Sequence, residues 1–218
     1  MDNDILLAKH VEGIDVIVGG HSHDKLEEPF VVNTNTVGTA QDTTLILQAQ
    51  EYGKFLGTLD VTFDENGVIT EHEGALIDIA KVADDEASLK LLETYKKRVD
   101  EVSNQEIGVK LEAALENPRA TDESPVSVRA NETILGNLIT DGMLAKARDY
   151  DKDIILALQN GGGIRAPINA GPVTLGEVIS VLPFGNTLAT MEITGADLKE
   201  AFETSFKNFP KENGGFLH

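Results

Sequence analysis

Apolar positions recur along this chain in two rhythms, one helical and one extended. Ile5-Leu6-Leu7-Ala8 follows the acidic Asp2-Asn3-Asp4 and predicts a short helix over 4–12, which Gly13 can end. Ile14-Asp15-Val16-Ile17-Val18 is β-branched and almost wholly apolar, as a buried parallel strand should be, and Gly19-Gly20 stop it. Strand-like runs follow at Phe30–Asn33, Thr44–Gln48, Leu56–Phe63 and Val68–Ile77. Between the last two, Asp64-Glu65-Asn66-Gly67 predicts a hairpin. Its Asn-Gly pair suits a type I′ turn, which needs positive φ twice.

The rhythm then turns helical. Over 84–103, Leu92, Tyr95, Val99 and Val102 fall on one face, and Lys96, Lys97, Arg98 and Glu101 on the other. Asp84-Asp85-Glu86 put negative charge at the positive end of the helix dipole. Periodicity alone fits a linking helix and an ordinary surface helix equally. Past a polar loop at 118–125, Asn131 is expected to cap a helix with Leu135, Leu138, Ile139, Met143 and Leu144 on its apolar face. Asp153–Leu158 reads as another buried strand. Thr174-Leu175-Gly176-Glu177 has capping-box form and opens a helix to Leu182. Leu188–Ile193 reads as a strand, and Thr194 to Asp197 opens a helix carrying Leu198, Ala201, Phe202 and Phe206. The pattern predicts an α/β (α+β) fold with separate cores over 1–80 and 106–218, joined by a helix at 84–104.

Composition sharpens this picture. Hydrophobic residues make up 41%, enough for a packed core, but aromatics only 5% with no Trp, so the core must be aliphatic. The net charge of −19 disfavours nucleic acid polymers and anionic membranes as partners. It also repels phosphate esters, so phosphate chemistry here would need a local positive centre from metal or placed Arg. The absence of Cys excludes disulfides and thiolate catalysis. No stretch approaches the ~20 apolar residues of a membrane span. The opening residues lack the charged-then-apolar form of a secretory leader and read as entry in mid-domain.

Three motifs are candidates for chemistry. Gly19-Gly20-His21-Ser22-His23 follows a buried strand, where α/β sheets gather ligands. If the loop is extended, His21 and His23 face the same side, as metal-binding imidazoles would; two loop histidines are the plainer alternative. Asn160-Gly161-Gly162-Gly163-Ile164-Arg165 offers glycine N–H groups to a ligand, a donor fork for phosphate in Arg165 and a two-way amide in Asn160. The alternative is a flexible turn with a solvated Arg. In Leu182-Pro183-Phe184-Gly185-Asn186, Pro and Gly hold Phe184 in a turn where it can stack on a base, the alternative being a core Phe.

Five segments in order carry a family resemblance: Val16–His23, Gln48-Ala49-Gln50-Glu51-Tyr52-Gly53, Gly136-Asn137-Leu138-Ile139-Thr140-Asp141, Asn160–Arg165 and Leu182-Pro183-Phe184-Gly185. Together they resemble the 5′-nucleotidase / UDP-sugar hydrolase family of two-domain metallophosphatases. The resemblance implies the end of a metallophosphatase α/β/β/α sandwich, a linking helix and a nucleoside-binding domain. It implies two divalent metal ions of zinc or manganese type, with His21 and His23 as metal ligands. It implies a pocket for a nucleotide or nucleoside formed by Arg129, Asn160, Gly162, Gly163, Arg165 and Phe184. Cyclic phosphodiesterase or sugar-nucleotide hydrolase activity on the same scaffold stays open, as does a non-catalytic nucleoside-binding role. The family's other metal-binding motifs are expected upstream of Met1, and a second stacking Phe and a pocket Asp beyond His218. This chain is therefore expected to be an inactive fragment. An extracellular, cell-wall or periplasmic location follows from the same resemblance, and association of copies through exposed strand surface is a further expectation.

Overall fold

The computed structural model describes residues 1–34, 42–121 and 123–218, so the polar loop at 118–125 is described except at position 122. The chain forms two compact units, Met1–Leu89 and Lys90–His218.

The first unit opens with α1 (Asp2–His10), whose Ala8 is buried. A three-stranded sheet follows: β1 (Val16–Val18), β2 (Phe30–Thr34) and β3 (Asp42–Leu47), in the order β1-β3-β2. β1 runs parallel to β3 and β2 antiparallel to it, with Val16 opposite Leu45 and Phe30 opposite Ile46. Central β3 is the most buried strand, with Leu45 and Ile46 at 0% exposure. Ala8, Val32 and Ile46 form its small aliphatic core, with Ile5, Ile17 and Leu26 against them. β4 (Phe55–Phe63) and β5 (Ile69–Asp78) form the expected hairpin.

The hairpin turn differs from the type I′ expectation. Gly67 has φ 80, but Asn66 is not among the positive-φ residues. Asp64 provides the reason: its side chain accepts the N–H groups of Asn66 and Val68, each at 2.9 Å. This local carboxylate turn holds the loop with a single left-handed residue.

α2 (Glu86–Ser103) begins one residue after Asp85, whose carboxylate accepts the Ser88 N–H at 2.7 Å and caps the helix. The second unit contains β6 (Glu106–Leu111), α3 (Ile134–Ala147), β7 (Gly171–Thr174), α4 (Leu175–Val181) and α5 (Gly195–Phe206), with β6 antiparallel to β7. Its core is Val128, Leu135, Ile164, Ile168, Val173 and Val181, aliphatic throughout as the composition required. Burying each such side chain stabilises by roughly 1.5–3 kcal/mol.

Three local expectations are corrected in this unit. α3 is capped by Thr133, which accepts from the Gly136 N–H, while Asn131 instead accepts the Ser127 N–H at 3.0 Å. The runs 153–158 and 188–193 have strand-like composition but form no strand among the described residues, and Ile155 and Met191 are 78% and 80% exposed. A strand needs a hydrogen-bonded neighbour, and β6 and β7, which the sequence reading missed, pair with each other instead. The capping box at Thr174 and Glu177 and the cap at Thr194 form as expected.

Candidate functional site

In the first unit, β1 and β3 run parallel, so their carboxyl ends leave the sheet at the same edge. The loops that follow them are stitched together. The Gly19 N–H donates to the Leu47 carbonyl at 2.7 Å, Leu26 N–H to Gln48 O at 3.1 Å, and Gln50 N–H to Asp24 O at 3.0 Å. Gln48, only 3% exposed, turns its amide oxygen toward the N–H groups of His23 and Asp24, each at 2.8 Å.

The Gly-Gly-His-Ser-His loop is not extended, which corrects the premise that residues two apart share a side. His21 and His23 sit at φ 66 and 61, and Gln50 and Tyr52, in the facing loop, at φ 62 and 57. Left-handed backbone is costly for non-glycine residues and concentrates at working sites. His23 Nδ1 lies 3.9 Å from Glu51 Oε2, and its ring meets Tyr52 edge-on at 5.8 Å. Among the described residues, no group of three or more His, Cys, Asp or Glu side chains is placed to hold a metal ion.

In the second unit, the glycine turn packs against the chain's last residues. Gly161 N–H donates to Phe216 O at 2.7 Å, Gly162 N–H to Gly214 O at 2.9 Å, and Gly163 N–H to Asn160 O at 2.9 Å. The expectation that these N–H groups face a ligand is corrected, because each already has a backbone acceptor. The glycines serve close approach instead: a Cβ on Gly161 would lie 2.2 Å from Val128 O, and one on Gly162 2.8 Å from Gly214 O. Asn160 Nδ2 also donates to Gly214 O, at 3.0 Å.

Beyond this turn lies a cleft of about 340 Å³, lined by residues including Met143 and Lys146 of α3, Gln159, Gly163, Phe184 and Thr187. That volume falls in the range of small-molecule sites. Phe184 is 59% exposed, which removes the core alternative. The Arg165 guanidinium lies over its ring at 5.7 Å, within cation–π range. Of the sequence-predicted pocket residues, Gly163 and Phe184 line the cleft, and Arg165 joins them through the Phe184 ring; Arg129, Asn160 and Gly162 do not line it. Asn160 and Gly162 face Gly214, and the Arg129 carbonyl accepts the Asn213 N–H at 2.9 Å.

Sequence reasoning missed Glu212. Its carboxylate accepts Arg119 Nε at 2.9 Å and Nη2 at 2.6 Å, the Ala120 N–H at 2.9 Å, and the hydroxyl of fully buried Ser127. The Arg119 fork first, then the Ser127 and Ala120 donors, hold its pKa down from 4.5 to about 2, against the opposing effect of burial. No local pattern marks Glu212, since Arg119 lies 93 positions away in sequence.

The described elements form a mixed α/β architecture of helices and small sheets. The chain belongs to the 5′-nucleotidase family: the model of the "5'-nucleotidase, C-terminal domain" matches residues 106–218. A trifunctional nucleotide phosphoesterase of Bacillus subtilis is 43% identical over 218 residues, covering 98% of this chain and 14% of that protein. The 5′-nucleotidase of Homo sapiens is 31% identical over 236 residues, covering 98% of this chain and 39% of its own length. The crystal structure of a 5′-nucleotidase precursor from Thermus thermophilus superposes with a TM-score of 0.74 at 38% identity, over 100% of this chain and 43% of that one. The chain thus spans less than half the length of each of these relatives.

Proposed function

We propose that this chain is the nucleoside-holding part, together with a histidine-bearing loop, of a metal-dependent phosphohydrolase that dephosphorylates nucleotides. The observation that carries this reading is Arg165 stacked on exposed Phe184 at the cleft. One aromatic face and one guanidinium at a cleft suit a base linked to phosphate. Phe184 stacks the base, while Arg165 and Arg129 supply charge toward the phosphate. Asn160, with one amide hydrogen given to Gly214, keeps the other for a hydroxyl or base edge. Gly162 and Gly163 keep the turn free of side chains beside the ligand.

His21 and His23 are proposed donors to divalent metal. Bound metal in such hydrolases activates water and neutralises phosphate charge. Two imidazoles fall short of the four donors of a filled tetrahedral site, so hydrolysis is proposed for a longer protein that contains this chain. A wider ester range is the second reading, favoured by the "trifunctional" name of the Bacillus subtilis relative. Export is proposed because the similar proteins include a snake venom 5′-nucleotidase and a 5′-nucleotidase precursor.

Titration of the chain with adenosine, followed by amide NMR, tests the reading. Shifts should concentrate at residues 160–165 and 184, with a dissociation constant near millimolar, equivalent to about −4 kcal/mol. Absence of any shift there would remove the cleft from consideration. The chain alone should release no phosphate from AMP with zinc or manganese, and turnover at ordinary enzyme rates would overturn the assignment of hydrolysis to a longer protein.

A further inference from the structure

The Glu212 cluster does more than tie two loops together. Its main-chain neighbours are the residues against which the glycine turn rests. Asn213 donates its N–H to Arg129 O at 2.9 Å and its side-chain amide to Ser205 O at 3.3 Å. The next carbonyl, Gly214 O, receives both the Gly162 N–H and Asn160 Nδ2. Two residues further on, Phe216 is 8% exposed, packs on the Phe206 ring at 5.3 Å and accepts the Gly161 N–H. Residues 212–216 lie outside the helices and strands and are held at three points, by the Glu212 carboxylate, by the two Asn213 bonds and by the buried Phe216 ring.

We propose that Glu212 is a positioning residue of the nucleoside cleft: gripped by Arg119, Ala120 and Ser127, it fixes the Gly214 carbonyl that sets Asn160 and Gly162. The proposal rests on the nucleoside reading above. The Glu212 and Phe216 anchors act on different bonds. Phe216 stays seated by its own apolar contacts when the carboxylate is lost, so the Gly161 bond persists. The Gly214 carbonyl, close to Glu212 along the backbone, loses its register, and with it Asn160 and Gly162 lose theirs. A purely structural role would loosen the turn as a whole, whereas a positioning role loosens one end of it.

The test is amide hydrogen exchange and adenosine titration of the whole chain as wild type, Glu212→Ala, Glu212→Gln and Arg119→Ala. Arg119 is 49% exposed, so its truncation leaves no buried void. In Glu212→Ala and Arg119→Ala, the Gly162 amide should exchange at least about tenfold faster while Gly161 and α3 keep their protection. The adenosine dissociation constant should rise about tenfold. Glu212→Gln should fall between, because it keeps an acceptor for Ala120 and Ser127. Should Glu212→Ala fail to fold, Arg119→Ala carries the same expectations. Unchanged Gly162 exchange in the folded variants overturns the proposal, as does faster exchange with unchanged adenosine affinity. A wild-type chain that shows no adenosine shift fells the nucleoside reading, and the positioning role with it. Unchanged exchange beside a wild type that binds fells the positioning role alone.

Discussion

The Arg165 guanidinium lies 5.7 Å from the centre of the Phe184 ring, and both residues are tied to one buried helix end. Arg165 leaves the glycine turn and donates its N–H to Val181 O, at the end of α4, at 2.9 Å. Phe184 lies three residues beyond Val181, held between Pro183 and Gly185, the latter at φ 63. Both residues are therefore referenced to Val181, which is 3% exposed. The pair is placed by the core, and the ring is left open to a ligand.

Phe184→Ala should therefore weaken adenosine binding without harming the fold. Loss of one stacking face is worth ~1–3 kcal/mol, or roughly five- to 150-fold in affinity. The side chain is 59% exposed, so little core packing goes with it. Calorimetric or NMR titration reads the change, and an unaltered dissociation constant would take the ring out of the site.

Two glycines should respond in opposite directions to alanine. At Gly161 the new Cβ would lie 2.2 Å from the Val128 carbonyl, which is backbone and cannot swing away. Overpacking of this kind costs about 1–3 kcal/mol, and the Gly161 bond to Phe216 would stretch with it. Gly142 lies within α3 and meets nothing within 4 Å. Alanine there should stabilise by about 0.5–1 kcal/mol through helix propensity. Urea unfolding of the two variants should bracket the wild type, and a Gly161→Ala midpoint at or above wild type would contradict the close packing.

These same elements show which parts of the fold are legible in sequence. Caps and periodicity read well because they are local: Thr174 and Glu177 close their capping box within one helical turn. The β-branched run ending at Val18 is likewise a strand and parallel as expected, but it is not the buried strand the run predicts, since Val16 and Ile17 are half-buried and Val18 is 83% exposed. The runs at 153–158 and 188–193 read wrongly because pairing depends on a neighbour that composition does not specify. The candidate loops were legible by their glycines and histidines, but not their geometry. Left-handed backbone at His21, His23, Gln50 and Tyr52 is imposed by the stitching of two strand ends, as in the Gly19 to Leu47 bond. Glu212 was invisible because its value comes from Arg119 and Ser127, which only the fold brings near.

Acid should release the Glu212 clasp in a defined window. Its folded pKa, about 2, lies below the ordinary 4.5. The unfolded chain therefore binds more protons between these values, and stability rises with pH across them. The contribution is complete above about pH 4.5 and lost as pH falls toward 2. Its size is on the order of 2 kcal/mol, discounted because Arg119 is 49% exposed. Asp64 and Glu177 also have lowered pKa values, held down first by the backbone N–H groups of Val68 and Thr174. The reading is therefore the stability difference between wild type and Glu212→Gln, which should be largest near pH 6 and shrink toward pH 2.5. A difference that stays constant would show that Glu212 does not titrate against Arg119.

His21 offers a test of whether the loop is strained for a purpose. An exposed imidazole at φ 66 makes an odd choice for a turn, since Asn and Gly occupy left-handed backbone far more readily. Left-handed conformation costs an ordinary side chain roughly 1–2 kcal/mol, and Asn recovers part of that. His21→Asn should therefore stabilise the first unit by about 0.5–1 kcal/mol, measured by urea unfolding with amide signals of β1 and β3 as the probe. The same change removes a proposed metal donor, so in a longer protein containing this chain it should lower metal-dependent release of phosphate from AMP. Gain of stability with loss of turnover is the signature of a residue kept for chemistry rather than for folding. Loss of stability would mean that the His21 ring itself holds the loop, and the strain at that position would then give no support to a metal-binding role.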